Sequence, residues 1–155
     1  MAHNPRNAEH ADTVAGDRLN LRNENAELRR LASWLHDWTG AQGLSQQLAH
    51  RIDLASHELV TNIIDYAYSD QARHCISVRV HRTNGKVTLA IEDDGNPFDP
   101  SAAPTPETPK TLEEAPIRGR GIHLARQSSD EMRHHRSEGK NHLILVWDEE
   151  ADRNR

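Results

Sequence analysis

Partway along the chain the spacing of apolar residues changes period, and that change constrains the fold more than any other feature. Leu48, Ile52, Ala55, Leu59 and Ile63 recur at helical intervals, widened into a stripe by Val60 and Ile64. From Ile76 onward the pattern alternates instead: Ile76, Val78 and Val80, then Val87, Leu89 and Ile91, with Asn84-Gly85 between the two runs. Asn-Gly between alternating runs is the strongest short-range hairpin signal. A helix with one apolar stripe and a hairpin with one apolar face can bury both only against each other. The chain therefore reads as a two-layer α+β sandwich.

The flanking segments extend this scheme. Residues 1–16 carry almost no large apolar side chain, end in Gly16, and read as a disordered arm. Arg18 to Arg22 alternates like a strand at a sheet edge. Asn25 is the expected cap of a first helix, with Leu28, Leu31, Leu35 and Trp38 at helical spacing before Gly40; Ser45 is the expected cap of the longer second helix. Six of the seven prolines fall between Pro97 and Pro116, among Thr105, Thr108 and Thr111, which excludes helix and central strand there. Residues 97–118 are therefore expected to form a lid-like loop. A helix is expected from Arg120 to Asp130. A weaker strand around Met132 to Arg136 should pair with a last strand, Leu143 to Trp147, after a turn at Glu138-Gly139-Lys140-Asn141. Residues 149–155 are expected to be a frayed, charged tail. The sum is a mostly antiparallel mixed sheet covered on one face by about three helices, with the domain proper over residues 17–148.

Composition narrows the function classes. A chain of 155 residues suits one domain with a real core. Nineteen basic residues against twenty-four acidic ones give no broad footprint for nucleic acid. The single cysteine, Cys75, excludes an internal disulfide and fits a reducing cytoplasm. No apolar run approaches membrane-spanning length, and the first residues lack the apolar core of a secretory signal. The eleven histidines show no metal-ligand spacing completed by cysteine or carboxylate.

Three stretches carry the chemistry. Glu58 and Asn62 are four residues apart on the second helix, so they share a face at the border of the apolar stripe, where a helix lines a pocket. The Asn oxygen suits a hard cation such as Mg²⁺, and the Glu can accept a proton from a hydroxyl. Asp93 lies two residues beyond Ile91, so it points to the core side at the end of its strand. A buried carboxylate needs a donor, and a purine amino group would supply one. Gly95 permits close backbone approach. Gly119 and Gly121 at a helix start aim backbone amides at an anion, with Arg118 and Arg120 as countercharge. Each stretch alone is common: a solvated helix edge, a plain Asp-Asp-Gly turn, a lone Gly-x-Gly. Their order makes ATP the first ligand to test.

That order resembles the GHKL ATPases and, within them, the anti-sigma-factor serine/threonine kinases of the RsbW type. The resemblance rests on His57-Glu58-Leu59-Val60-Thr61-Asn62-Ile63-Ile64 through Ala67-Tyr68, on Asp93-Asp94-Gly95-Asn96-Pro97-Phe98-Asp99-Pro100, on Gly119 to Arg126, and on Gly139-Lys140-Asn141. It spans roughly residues 17–148 and implies the Bergerat-type ATP-binding fold. It implies that Asn62 holds Mg²⁺ on the ATP phosphates and that Glu58 is the general base toward a serine or threonine hydroxyl. It further implies that Asp93 takes the adenine amino group, that Gly95 lies close to the ring, and that Gly119 and Gly121 bind phosphates. Arg118, just before the Gly-x-Gly, would reach the γ-phosphate. The implied substrate is a STAS-domain antagonist protein and the implied alternative partner a sigma factor. Relatives of this type are often homodimers, although the sequence marks no dimer face. Pro97 stands where wider GHKL enzymes have a second glycine, and Asp65 where relatives often carry a basic residue or His. The alternative reading is a non-catalytic ATP-binding protein that sequesters a regulator.

Overall fold

A computed structural model describes residues 17–102 and 117–154. The chain runs β1 (Asp17–Arg22), α1 (Glu27–Ala41), α2 (Gln46–Tyr66), β2 (Cys75–Thr83), β3 (Lys86–Asp93), a 3₁₀ turn (Pro100–Ala102), α3 (Ile117–Ser128), β4 (Glu131–Ser137), β5 (Lys140–Asp148) and α4 (Glu149–Arg153). The five strands form one sheet in the order β1-β2-β3-β5-β4. All four pairings are antiparallel, so the described sheet is not mixed. The expected arm, residues 1–16, lies outside the described residues. So does most of the expected lid, including its three threonines.

Alternation does what the sequence requires of it. Leu19, Val78, Ile91 and Leu143 share one row across the sheet, and Val80, Leu89 and Leu145 share the next on the same face. All seven are buried, against Leu31, Leu35 and Trp38 of α1 and Ile52, Ala55, Leu59 and Val60 of α2. Two-residue turns enforce the register. Asn84 and Gly85 have φ of 54° and 73°, and Glu138 and Gly139 have φ of 53° and 75°, the positive values that suit the right-handed twist of a hairpin. Trp147 is fully buried and its Nε1 donates to the Ser128 carbonyl at 2.7 Å, tying the end of α3 to β5.

The helix caps divide. Ser45 caps α2 as expected, its Oγ accepting from the Leu48 amide at 3.1 Å. Asn25 does not cap α1: the N-cap is Ala26, which makes no side-chain cap bond. The first turn is held instead by Glu27, which accepts from the Arg22 amide and from Arg30.

The charged tail is also not frayed. After Asp148 caps it, α4 buries Glu149 and Asp152. Glu149 takes two bonds from Arg82, at 2.6 and 2.9 Å, while Asp152 accepts from Arg51 at 3.0 Å and from the Ser45 hydroxyl at 2.9 Å. Acidic residues with fixed basic partners on two other elements dock a segment that its composition alone would leave in water. Asp152→Ala removes the 3.0 Å partner of Arg51, a largely covered side chain left with Asp130 at 4.0 Å, and the brace on the α2 cap. The expected cost is about 3 kcal/mol in urea denaturation, as for breaking one side of a buried pair; an unchanged midpoint would show that the tail is ornamental.

Candidate functional site

The inner face of the sheet is apolar until its last row. Beyond Ile91, Leu143 and their β4 neighbour His134 comes the row Asp93, Asn141 and Arg136, in register across β3, β5 and β4. The alternation that buries the core thus delivers three polar side chains to the same side of the sheet. The last turns of α2 lie over this row. Between them is a cleft lined by Leu59, Asn62 and Ala67 from the helix side and by Asp93, His134 and Asn141 from the sheet, with Phe98 and Pro100 at one wall.

Asp93 is 5% exposed. Its Oδ1 accepts from the Gly95 amide at 2.9 Å and from Asn141 Nδ2 at 3.1 Å, and its Oδ2 takes no bond from the described residues. Burial raises its pKa above the ordinary carboxylate value, opposed by those two bonds. A buried carboxylate that lines a cleft and has one oxygen unengaged can accept a hydrogen bond from a ligand N–H.

Asn141, which the sequence pattern assigns to the turn, is in β5 and holds the arrangement together. Its Nδ2 also donates to the Asn96 carbonyl at 2.9 Å, while its Oδ1 accepts from Arg136 at 3.1 Å and from the Phe98 amide at 3.4 Å. His134 Nε2 lies 3.2 Å from the same oxygen. Arg136 donates in turn to the carbonyls of Gly95 and Gly139. Parity could have found all three: Asn141, Leu143, Leu145 and Trp147 alternate without a break, and Arg136 and His134 pair with the first two.

Asn62 comes to the cleft as the sequence predicts. It is buried in α2, and its Oδ1 has no hydrogen-bond partner among the described residues. An orphaned buried oxygen is costly unless something binds it. A hard cation fits that atom, so the donor chemistry here is compatible with Mg²⁺ carried by phosphates.

Glu58 is not among the described residues that line this cleft. It stands one helical turn earlier, at the contact between α2 and α3, where a methyl placed on Gly121 would lie 2.6 Å from its Oε2. The glycine is what lets the carboxylate sit against the start of α3. Gly95 has no room for a side chain whatever it binds: a Cβ there would lie 2.5 Å from Ala67 Cβ and 2.7 Å from the Ala67 carbonyl. Its crowding is therefore against the end of α2, which cannot give way. Asp65 is exposed at that end and does not line the cleft.

The Gly-x-Gly segment is the main correction to the expected boundaries. α3 begins at Ile117, not Arg120, so Arg118, Gly119 and Arg120 lie in its first turn, where backbone amides lack helical partners. Two glycines within three positions weaken a helix by about 1 kcal/mol each, which delays the start read from sequence. Packing overrides that propensity, since Ile122 and Ala125 are buried. The side chains of Arg118 and Arg120 lie outside the described residues.

Comparison with known proteins agrees with this layout. A family model described as a histidine kinase-like ATPase domain matches residues 21–147. The serine/threonine-protein kinase BtrW of Bordetella bronchiseptica is 29% identical over 113 residues, covering 73% of this chain and 80% of that protein. Among solved structures, the RsbU and RsbW domains of Rv1364c from Mycobacterium tuberculosis align with a TM-score of 0.59 at 15% identity, over 85% of this chain and 32% of that one. The histidine kinase domain of the blue-light activated histidine kinase from Erythrobacter litoralis EL346 aligns with a TM-score of 0.54 at 20% identity, over 83% of this chain and 62% of that one. These structural likenesses are of fold. Among the described residues no helix is long and apolar enough to cross a membrane.

Asn141→Ala removes a donor from buried Asp93 and an acceptor from Arg136. The expected loss is about 2 kcal/mol of stability, the cost of leaving buried polar groups unpaired, measured by urea denaturation. A loss no larger than that of Ser137→Ala would show that the row is not a working network.

Proposed function

The chain belongs to the histidine kinase-like ATPase domain family, and from that premise we propose that it is an ATP-dependent serine/threonine protein kinase of a partner-switching system. Its substrate is a STAS-domain antagonist protein, with a sigma factor as the alternative partner. The observation that carries the reading is the Glu58 carboxylate, set against Gly121 at the start of α3 and one helical turn from the orphaned oxygen of Asn62. An adenine site alone needs Asp93 and its row; it has no use for a carboxylate at the phosphate end.

In this reading the base enters the cleft with its amino group on Asp93 Oδ2, while the amides of the first α3 turn, at Arg118, Gly119 and Arg120, face the phosphates. Mg²⁺ held through Asn62 would neutralise charge on those phosphates. A serine or threonine hydroxyl of the partner then attacks the γ-phosphorus, its proton passes to Glu58, and the bond to ADP breaks. Phosphoryl transfer is mostly a matter of positioning and charge neutralisation, which these groups supply. The kinase name of BtrW supports the reaction type; the partner-switching assignment extends the likeness to an RsbW domain.

The test is transfer of labelled γ-phosphate from ATP to a purified STAS-domain protein. Glu58→Ala is expected to bind ATP normally and lose transfer by about 10²-fold or more, the usual worth of a general base. Asn62→Ala is expected to weaken Mg·ATP by about tenfold. Equal transfer by wild type and Glu58→Ala would sink the mechanism. ATP binding without transfer to any such partner, together with capture of a sigma factor, would make the protein a sequestering module instead.

A further inference from the structure

Beside the cleft, the loop joining α2 to β2 carries a histidine between two carboxylates. His74 Nε2 is 2.7 Å from Asp70 Oδ1, and its Nδ1 is 3.1 and 3.3 Å from the two oxygens of Asp94. The ring stacks on Tyr68 with centroids 4.1 Å apart and planes 15° from parallel. The main chain at His74 is fixed as well, its amide donating to Asn23 Oδ1 at 2.9 Å and its carbonyl accepting from the Asn23 amide at 3.2 Å. The bridge thus joins a carboxylate of its own loop to one on the turn that follows β3.

That turn is the one carrying Asp93. It is already pressed onto the end of α2: the Asn96 amide donates to the Ala67 carbonyl at 2.7 Å, Asn96 Nδ2 donates to Ser69 Oγ at 2.8 Å, and Gly95 has no room for a Cβ. Asn96 and Ala67 line the base cleft on their other side. His74 completes a third tie between the loop and the turn.

The tie depends on a proton. Carboxylates only accept hydrogen bonds, and a neutral imidazole has one donor and one lone pair. Only the imidazolium donates to both Asp70 and Asp94; the neutral ring turns a lone pair on one of them. Among the described residues, no other cation hydrogen-bonds to Asp70 or Asp94. Asp93 stands behind Asp94, and the Tyr68 phenol and Cys75 thiol carry no cation. Arg136 of β4 is committed to Gly95, Asn141 and Gly139, and Lys140 of β5 pairs with Glu92 at 3.0 Å and acts on Asp94 only through space.

We propose that His74 is a positioning residue of the nucleotide cleft: as an imidazolium bridging Asp70 and Asp94, it locks the Asp93–Asn96 turn against the end of α2 and makes nucleotide affinity proton-dependent. The inference rests on the ATP reading of the cleft. The two carboxylates, Asp70 first, raise the His74 pKa above the ordinary 6.5. The lock is therefore complete below that ordinary value and is released as pH rises through the higher one in the folded protein.

The test compares wild type with His74→Gln, which keeps one donor and cannot titrate. Affinity for Mg·ATP is measured by calorimetry from about pH 6 to about pH 9, the range in which a perturbed histidine changes charge. Because the nucleotide's own phosphates titrate there, the difference between the two proteins is the readout. Wild type is expected to lose about fivefold more affinity than the variant across the range, the low end of a coupling between neighbouring sites. Nucleotide-free melting temperatures over the same range should fall for wild type and stay level for the variant. Parallel profiles in both measurements would overturn the proposal. If neither protein binds ATP at any pH, the ATP reading and the coupling to it fall together; a His74-dependent melting profile would then show that the lock itself is real.

Discussion

Everything in this protein depends on covering one face of one sheet. Each strand's alternation sends its apolar residues inward, where, among the described residues, α1, α2 and α3 meet them, with Leu44, Ala67 and Tyr68 from the connecting loops. The longest, α2, crosses that face with Leu48, Ile52, Ala55, Leu59 and Ile63 buried along its length. Burial of such side chains contributes about 25 cal/mol per Å² of apolar surface, so α2 cannot rotate or slide without exposing the stripe. Its position is thereby set at its far end too, where the stripe gives way to Asn62 and Ala67.

The functional region is where this core stops being apolar. Sheet parity does not end when the chemistry changes, so Asp93, Asn141 and Arg136 arrive on the covered side for the same reason that Ile91 and Leu143 do. Buried there, they satisfy one another through a network centred on the Asn141 amide. Asp93 Oδ2 and Asn62 Oδ1 stay outside that account among the described residues, and both side chains line the cleft. A cleft that uses its internal hydrogen bonds for orientation and leaves these two oxygens unpaired fits the proposed ligand, which bears an N–H and carries a cation.

Much of this was legible residue by residue. The Asn84-Gly85 hairpin, the Ser45 cap, the inward Asp93 and the pairing of the weak strand at Met132 to Arg136 all follow from local rules, because each depends on neighbours within a few positions. The readings that failed share a different cause. Asn25 lost its capping role to Glu27, which bonds back to Arg22. The tail acids found Arg82 and Arg51, far away in sequence. The start of α3 moved because buried Ile122 and Ala125 outweigh the helix penalty of two glycines. In each case a contact between distant segments overrode a local preference.

The sequence by itself determined the layers, the faces and the order of the motifs, since periodicity and turn chemistry are properties of short stretches. From the order of Glu58, Asn62, Asp93 and Gly121 it also determined the family to which the chain belongs. Only the tertiary structure decided that Asn141 is the centre of the site, that Gly95 and Gly121 are small to make room for Ala67 and Glu58, and that His74 stands between Asp70 and Asp94. Those are distances between segments that the chain brings together only when the shared core closes, and no local pattern encodes a distance.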